Sequence, residues 1–355
     1  MLAEKSSLTF LDEVRQQPVA LRRFTQVAWE EYENSRALEE LLGKGSGLHI
    51  VLTGIGSSLF ACYIAMRFLQ CKGIQASTME ALELQKMPRA FFSGNTVVIA
   101  VSQSGESPEV VELLELLPPS VPVIGVTNYP QSRLYRMATI PLLIHAGAEY
   151  FTSSKSYTNT LAAVLLLAHR IAGCGEAELQ ELRNQMELCS ARMDALIADE
   201  TLSSGVARFI GDVHFLICVG SGYSYTTACH SEIVAEEAGK FYSSRYTPAQ
   251  FIHGPIELIQ PGFCVIIYDS NPVYRGKCDE VRENVLRYGG KVLLITNRPD
   301  IAPRENQMVC VIPHPDPATA VLVEILPLEL GIDRLCKSRG IATGHLSRVV
   351  KRLAN

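Results

Sequence analysis

A short run of hydroxyl and amide side chains marks where chemistry is most expected in this sequence. Ser102, Gln103, Ser104 and Ser107 follow directly on the apolar run from Thr96 to Val101. Apolar residues at helical spacing come next, so the pattern predicts a buried strand, a short loop and a helix N-terminus. Such an end offers unpaired N–H groups and a positive dipole. We interpret the loop as a phosphate cradle; the alternative is an ordinary turn with a serine cap.

Two further candidates for chemistry lie in the second half of the chain. Glu237 stands beside Glu236 near the end of a predicted helix from about Tyr225 to Gly239, and His253 lies in a predicted loop, residues 251–255. A carboxylate, a histidine and a phosphate loop together suit proton transfer on a small phosphorylated metabolite. The alternatives are a solvated helix carboxylate for Glu237 and a turn cap for His253.

The glycine-rich loops do not indicate a nucleotide cofactor. Residues 54–58 read Gly-Ile-Gly-Ser-Ser and lack the third glycine of a dinucleotide fingerprint, and no acidic residue stands at a clear ribose-binding position. A P-loop is excluded because no Gly-Lys-Ser/Thr sequence is present. We therefore expect no NAD and no other cofactor.

Strands alternate with helices along most of the chain. Residues 8–42 predict two helices, and residues 156–203 predict a helical connection. Predicted strands cover residues 48–52, 74–80, 96–101, 121–127, 141–144, 213–219, 263–269 and 291–296. Predicted helices cover residues 59–70, 82–92, 108–114, 225–239, 277–288 and 320–339. This alternation predicts an α/β fold with parallel sheets covered on both faces.

The order of elements repeats. Asn128 lies 72 residues after Gly56, and Asn297 lies 75 residues after Gly222. Two copies of one α/β unit explain this better than two unrelated Rossmann-like modules, which are the alternative. The repeat is unequal, because residues 268–272 (Tyr-Asp-Ser-Asn-Pro) stand where the first copy has its serine loop. Only the first half is therefore expected to bind phosphate.

Composition limits the classes of protein that fit. The chain has 355 residues, 47% of them apolar, and a net charge of −5, which suits two globular domains. Basic residues cluster only at the C-terminus, so nucleic acid is not an expected partner. The ten cysteines form no C-x-x-C pair, which indicates reduced thiols of a cytoplasmic protein and no metal site. No signal peptide is apparent, and the run from Leu161 to Ala168 is too short to span a membrane.

The serine loop, the Gly54–Ser58 loop and the duplicated unit resemble the sugar isomerase (SIS) family. From residues 13–18 to the tail, the chain is similar to the tandem-SIS isomerase half of glucosamine-6-phosphate synthase and to amino-sugar-phosphate deglycases. The resemblance implies two tandem SIS domains, each a doubly wound, Rossmann-like three-layer αβα sandwich. Its expected divisions are N-terminal helices at 1–45, SIS domain 1 at 46–170, a helical connection at 171–203, SIS domain 2 at 204–335, and a tail at 336–355 that closes the site.

The resemblance also implies roles for single residues. The expected 6-phosphate ligands are Ser102, Gln103, Ser104 and Ser107. Ser58 and Ser153 match sugar contacts, and Glu237 matches the base that moves a proton between C1 and C2. His253 matches a ring-opening histidine that the neighbouring subunit supplies, which implies a homodimer or a higher homo-oligomer with shared active sites. Lys351 aligns with a lysine of the family's closing tail; its alternative is a solvated charge.

Departures from the synthase pattern shape the expected activity. Val234 replaces a lysine three positions before Glu237, His230 replaces an acidic residue, and the residues after Lys351 do not match. No glutaminase domain precedes residue 1, so the synthase reaction is not expected. The first expectation is a deglycase that splits a sugar 6-phosphate–amino acid conjugate, of the fructoselysine or glucoselysine type, into hexose 6-phosphate and amino acid. The alternatives are an amino-sugar-phosphate isomerase or deaminase and a non-catalytic sugar-phosphate-binding module.

Overall fold

The computed structural model describes residues 8–43, 47–92, 95–314 and 316–348, and Lys351 lies outside them. The first half of the chain builds a five-stranded sheet with the order β2-β1-β3-β4-β5, in which all neighbours are parallel. Its strands are β1 His49–Gly54, β2 Gln75–Glu80, β3 Thr96–Val101, β4 Val123–Thr127 and β5 Ile140–Leu143.

The second half builds a second parallel sheet with the order β10-β9-β8-β6-β7. Its strands are β6 Phe215–Gly220, β7 Tyr242–Tyr246, β8 Phe263–Asp269, β9 Lys291–Thr296 and β10 Gln307–Val311. Numbered within each half, both sheets have the strand order 2-1-3-4-5. The expected fold class, two tandem α/β units with parallel sheets flanked by helices, is therefore confirmed.

The sheets are covered by helices. Those before and within the first sheet are α1 Phe10–Arg15, α2 Gln17–Arg23, α3 Trp29–Glu33, α4 Arg36–Leu42, α5 Ser57–Cys71, α6 Ala81–Leu84, α7 Pro108–Leu116 and α8 Arg133–Met137. The others are α9 Lys155–Ile171, α10 Glu176–Ala198, α11 Glu200–Ile210, α12 Ser224–Ile233, α13 Pro248–Ile252, α14 Arg275–Arg287, α15 Pro317–Ala320 and α16 Leu326–Ser338. One cluster of buried apolar side chains takes members from both halves.

Each of the eight predicted strands is present, and the structure adds β7 and β10, the two edge strands of the second sheet. Every residue of β3 and β8 is buried, so these strands are continuous apolar runs. Strand β7 reads Tyr-Ser-Ser-Arg-Tyr and pairs only with β6, so its backbone is paired while its side chains are partly exposed. Strand β10 pairs only with β9 and is likewise partly exposed. Edge strands of this kind carry little hydrophobic signal.

Several helix predictions were wrong in detail. The N-terminal region holds four helical segments and a π-helical turn, Phe24–Ala28, instead of two helices. Residues 82–92 do not form one helix: α6 ends at Leu84, and a 3-10 turn, Arg89–Phe92, follows. The apolar run that sequence analysis judged too short for a membrane lies in α9, where it is buried in the core. No helix in the described ranges is long and apolar enough to cross a bilayer.

A buried polar contact joins the N-terminal helices to the last helix. The Nε2 of Gln17 on α2 donates to Oε2 of Glu329 on α16 at 2.5 Å, and both side chains are fully buried. Burial raises the pKa of Glu329 to about 8, so this carboxyl group is mostly protonated at neutral pH. The contact fixes α2 against the second half of the chain and so positions the neighbouring α1, which contacts the site described next.

Candidate active site

The serine loop leaves the carboxyl end of β3 in a shape that its own hydrogen bonds define. The Oγ of Ser102 accepts from the backbone N–H of Gly105 at 3.1 Å and lies 3.0 Å from Oγ of Ser107. The Oγ of Ser104 accepts from the N–H of Glu106 at 3.2 Å. A hydroxyl oxygen that accepts a backbone N–H keeps its own hydrogen for another acceptor. The loop therefore presents donors to an anion.

Gly105 is the residue that makes this loop possible. Its φ is +66°, which side chains with a Cβ rarely adopt, and a Cβ would collide with Ser132 and Thr127. Its carbonyl accepts from the N–H of Leu134 at 3.0 Å, and the carbonyl of Gln103 accepts from the N–H of Asn128 at 3.0 Å. The loop is thus held from behind by the ends of β4 and α8.

The helix after the loop keeps its first turn uncapped. Ser107 occupies the N-cap position of α7 and Pro108 the first turn, but the Ser107 side chain makes no capping hydrogen bond within the described chain. It faces Ser102 instead. The alternative of an ordinary serine cap therefore does not describe this loop, and the positive end of α7 stays available to an anion.

A polar cavity of about 220 Å³ lies in front of the loop, and we name it the inner cavity. Its lining residues are Ile55, Gly56, Ser57, Ser58, Ser102, Gln103, Ser104, Ser107, Phe151, Ser153, Ile233, Glu237 and Leu346. The structure therefore brings seven of the nine candidate residues together around one space. The two others are His253 and Lys351.

Glu237 reaches the inner cavity from the second half of the chain. Sequence analysis predicted a regular helix to Gly239, but α12 ends at Ile233 and continues as a π-helical turn, Val234–Ala238. Within this turn Glu237 is half-buried and lines the cavity, whereas Glu236 is exposed. Single π-helical turns are frequent at functional sites because the extra residue redirects side chains. The alternative of a fully solvated carboxylate does not fit Glu237, and Glu236 is the more exposed of the two.

Two buried carboxylates that sequence analysis assigned no role shape the loop that carries Ser153. Glu13 on α1 accepts the backbone N–H groups of Tyr150 at 2.6 Å and Phe151 at 3.2 Å. Glu149 accepts the N–H of Ser154 at 3.0 Å. Their residue type alone did not distinguish Glu13 and Glu149 from other acidic residues. The available signal was their position in residues 13–18 and 149–155, two segments that are similar to motifs of the SIS family.

The C-terminal segment crosses the site. The carbonyl of Gly344 accepts the N–H of Thr152 at 3.2 Å, and its own N–H donates to the carbonyl of Ala238 at 3.4 Å. Lys240 has a φ of +58°, and its Nζ donates to the carbonyls of Glu237 at 2.6 Å and His345 at 3.0 Å. The segment is thus fixed between the Ser153 loop and the π-helical turn. The tail residues beyond 348, including Lys351, lie outside the described residues.

The two departures from the synthase pattern are both buried behind the cavity. Val234 is fully buried. His230 stacks on Tyr157 at 3.6 Å between ring centroids, and its Nε2 lies 3.1 Å from the carbonyl of Ser153. Burial lowers the pKa of His230 to about 3, so the ring is neutral at ordinary pH and Nε2 is the donor in this contact. His230 therefore supports the Ser153 loop and does not act as an acid at neutral pH.

His253 does not line the inner cavity in this chain. It is exposed and forms the C-cap of α13 in a turn, as the alternative of a turn cap has it; of the predicted loop, residues 251–255, Phe251 and Ile252 belong to α13 instead. The part of the loop that follows it is a 3-10 turn, Pro255–Leu258. The expectation that His253 serves a neighbouring subunit stays a prediction.

A second, larger cavity adjoins the first, and we name it the outer cavity. Its volume is about 640 Å³, and its lining residues are Glu236, Glu237, Lys240, Phe241, Tyr242, Leu346, Ser347 and Arg348. Glu237 and Leu346 line both cavities. Glu237 is therefore shared by the smaller cavity, which serine side chains line, and the larger one, whose lining carries both charges.

A metal is not suggested by the side chains around the inner cavity. Hydroxyl and amide groups dominate, with Glu237 as the only carboxylate. Within the described ranges, no group of three or more His, Cys, Asp or Glu side chains could hold a metal ion. The donor set suits an anion together with a polyhydroxylated group.

Comparison with known families matches the first half of the chain. Residues 46–170 match the model of the SIS domain. Glutamine–fructose-6-phosphate aminotransferase (isomerizing) of Aeropyrum pernix is 30% identical over 285 residues, which cover 77% of this chain and 45% of that protein. The chain spans about half the length of the curated relatives it matches.

Solved structures extend the likeness to the whole fold. The C-terminal domain of glucosamine-fructose-6-phosphate aminotransferase from Francisella tularensis has a TM-score of 0.86 and 21% identity, covering 97% of this chain and 100% of that one. Glucosamine-6-phosphate deaminase from Thermotoga maritima has a TM-score of 0.74 and 19% identity, covering 97% and 99%. The chain therefore contains a SIS domain, residues 46–170, and as a whole shares the fold of these solved structures.

Proposed function

We propose that this protein is a deglycase that splits a sugar 6-phosphate–amino acid conjugate into a hexose 6-phosphate and a free amino acid. One observation carries the proposal: Glu237 lines both the inner cavity of about 220 Å³ and the outer cavity of about 640 Å³, which is almost three times as large. A substrate with a phosphorylated sugar and a separate amine portion fills both spaces.

The serine loop supports the phosphate end of this proposal. The hydroxyl groups of Ser102, Ser104 and Ser107, the Gln103 amide and the start of α7 converge on the inner cavity. Backbone and hydroxyl donors at a helix N-terminus suit a phosphate dianion. Ser58 and Ser153 lie on the same cavity and suit sugar hydroxyls. The phosphate would thereby fix the sugar with its reacting end toward Glu237.

The chemistry follows from a carboxylate at that end. For a conjugate with nitrogen on C1 and a carbonyl on C2, Glu237 removes a proton from C1 while the C2 oxygen gains one, which gives an enediolamine. The proton then returns at C2, and the nitrogen electrons form a C1–N double bond. Water adds to C1 and the C–N bond breaks, so an aldose phosphate and an amine are released. One water is consumed, and no redox change occurs.

Glu237 is the base in this scheme, and two further residues would assist it. His253 would open the sugar ring from a neighbouring subunit, and Lys351 would act from the closing tail. These roles rest on the resemblance to the SIS family. The proposal for Glu237 and the serine loop does not depend on them, because both groups line one cavity in a single chain.

A second candidate is isomerisation or deamination of an amino-sugar phosphate such as glucosamine 6-phosphate. It is favoured by the likeness of the fold to glucosamine-6-phosphate deaminase from Thermotoga maritima. Release of ammonia needs no space beyond the sugar. The outer cavity, with both acidic and basic side chains, therefore favours the deglycase.

The test is incubation with a panel of phosphorylated compounds. The panel contains ketoamine conjugates of glucose 6-phosphate with lysine, asparagine and butylamine, together with glucosamine 6-phosphate and fructose 6-phosphate. Release of hexose 6-phosphate and free amine from a conjugate is the expected result. Ammonia from glucosamine 6-phosphate alone would favour the second candidate. Binding of hexose 6-phosphate without any turnover would overturn both and favour a sugar-phosphate-binding module.

A further inference from the structure

The outer cavity carries opposite charges on two of its walls. Glu236 belongs to the π-helical turn and Arg348 to the C-terminal segment, and both side chains are exposed to the cavity they line. Partial burial raises the pKa of the Glu236 carboxyl group, so a cationic partner would relieve part of this cost. The cavity thus offers one site for a cation and one for an anion.

Of the other two charged residues that line this cavity, Glu237 is the proposed base and Lys240 is already engaged. The Nζ of Lys240 donates to the carbonyl oxygens of Glu237 at 2.6 Å and His345 at 3.0 Å, and so joins the π-helical turn to the C-terminal segment. Its ammonium supports the walls of the cavity. The contacts of Lys240 therefore leave Glu236 and Arg348 as the charged groups best suited to a ligand.

Apolar side chains also line the outer cavity. Leu346 borders both cavities, and Phe241 and Tyr242 follow Lys240 on the outer one. The guanidinium of Arg339 lies 5.1 Å from the centre of the Phe241 ring, which holds this ring in place. An aliphatic stem that leaves the sugar beside Glu237 would pack on these side chains.

We propose that the outer cavity binds the amine portion of the substrate and that Glu236 and Arg348 select an amino acid joined to the sugar through its side-chain nitrogen. Glu236 would face the α-ammonium group and Arg348 the α-carboxylate, which a planar guanidinium can bind with two parallel hydrogen bonds. This inference rests on the proposed deglycase function and adds the specificity-determining residues for the released amine. An amino acid that has no second amino group and is joined through its α-nitrogen would bring no free ammonium group to Glu236.

The test compares three conjugates that differ only at the far end of the amine. They are the ketoamine 6-phosphates of lysine, Nα-acetyl-lysine and lysinamide, each joined through Nε. The first has both α-charges, the second lacks the ammonium, and the third lacks the carboxylate. The value of kcat/KM is measured for each from the release of hexose 6-phosphate. The wild type is expected to prefer the lysine conjugate about tenfold or more over both others.

Single variants assign each preference to one side chain. Glu236→Gln is expected to lose the preference for lysine over Nα-acetyl-lysine and to keep that over lysinamide. Arg348→Gln is expected to do the reverse. Glu305→Gln and Arg89→Gln remove exposed charges of the same types elsewhere, and both should keep the wild-type ratios. Circular dichroism of all four variants checks that each is folded.

The possible results distinguish the proposed amino acid subsite from the proposed deglycase function on which it rests. If the wild type cleaves all three conjugates with equal kcat/KM, or if either variant lowers all three equally, the subsite is overturned while the deglycase function stands. If the wild type cleaves no conjugate at all, the deglycase function fails and the inference falls with it. A crossed loss of the two preferences supports both.

Discussion

The two halves of this molecule share the same strand order and the register of their central strands. In the first half Val126 pairs with Val101, and in the second half Ile295 pairs with Tyr268. These two pairs are equivalent, so the residues that follow Val126 and Ile295, which are Thr127 and Thr296, are equivalent as well. The side chain of Thr127 donates to the carbonyl of Gln103 at 3.3 Å, and that of Thr296 donates to the carbonyl of Asp269 at 3.2 Å. Both threonines thus support the loop that follows the neighbouring strand.

The halves differ at the position of Ser102, which follows β3 in the first half and corresponds to the last residue of β8 in the second. The register of β1 with β3 and of β6 with β8 makes Ser102 equivalent to Asp269. Asp269 is buried and lies 2.6 Å from the guanidinium of Arg298, which also binds Asp279. A buried carboxylate at this position would repel a phosphate. One residue after an otherwise equivalent strand therefore distinguishes an anion cradle from an internal ion pair.

The second half contributes in a different way. Its first helix widens into the π-helical turn that brings Glu237 to the inner cavity, whereas the equivalent helix α5 of the first half is regular over Ser57–Cys71. One copy would therefore bind the phosphate, and the other would move the proton. Each prediction below alters one side of this division.

The largest effect is expected at Glu237. Glu237→Gln removes the proposed base and keeps the shape of the side chain, so kcat should fall by about 100- to 10,000-fold. The KM for a cleaved conjugate should change little, because the serine loop is untouched. Steady-state kinetics with the preferred conjugate measure both constants, and Glu305→Gln, at an exposed residue that lines neither cavity, is the control for kcat. Near-normal turnover by Glu237→Gln would refute the role of the base.

The next largest effect comes from giving the first half the residue of the second. Ser102→Asp places a carboxylate in the cradle, and its repulsion of the dianion should lower affinity for hexose 6-phosphate by about 100-fold. Calorimetric titration measures the Kd. The reciprocal variant Asp269→Ser lies outside the inner cavity and should keep the wild-type Kd. Equal affinity of Ser102→Asp and the wild type would show that phosphate binds elsewhere.

The sequence predicted the elements whose residues are apolar and buried, and it did not predict those whose side chains are polar and half-exposed. Apolar runs such as β3 and β8 revealed the central strands because both faces of these strands are buried. The repeat and the serine loop followed from spacing. Edge strand β7 was missed because its side chains are half-exposed and mostly polar. Its stability comes from backbone pairing, which leaves no trace in residue type.

Prediction of the candidate site from the sequence was also incomplete. Seven of the nine candidate residues line one cavity, because their motifs stand at loops that follow parallel strands or at a helix end. The π-helical turn was not predicted, since its composition is that of an ordinary helix. The burial of Glu13 also depends on a partner far along the chain, the N–H groups of residues 150 and 151. Such long-range pairing cannot be read from local spacing.

A third prediction tests the rigidity of the cradle. Gly105→Ala forces a Cβ into a left-handed conformation and into Ser132, so the free energy of unfolding should fall by about 3 kcal/mol. Gly73→Ala is the matched control, because Gly73 has a φ of +77° but nothing within 4 Å of its Cβ position. It should lose only about 1 kcal/mol. Urea unfolding measures both, and equal losses would contradict the close packing of the loop.

The smallest effect concerns the ion pair that replaces the cradle in the second half. Burial raises the pKa of Asp269 to about 6 despite Arg298, whereas the unfolded chain has a value of about 4. The folded state therefore binds the proton more tightly, and this stabilisation is complete below pH 4 and lost as pH rises through 6. Asp269→Asn removes the titration, so its unfolding free energy relative to wild type should rise by about 2 kcal/mol between pH 4 and 7. Urea unfolding at both pH values gives this difference, and parallel values would mean that Arg298 already offsets the cost of burial. In that case the ion pair between Asp269 and Arg298 stabilises the second copy at the position where the first copy has its anion cradle.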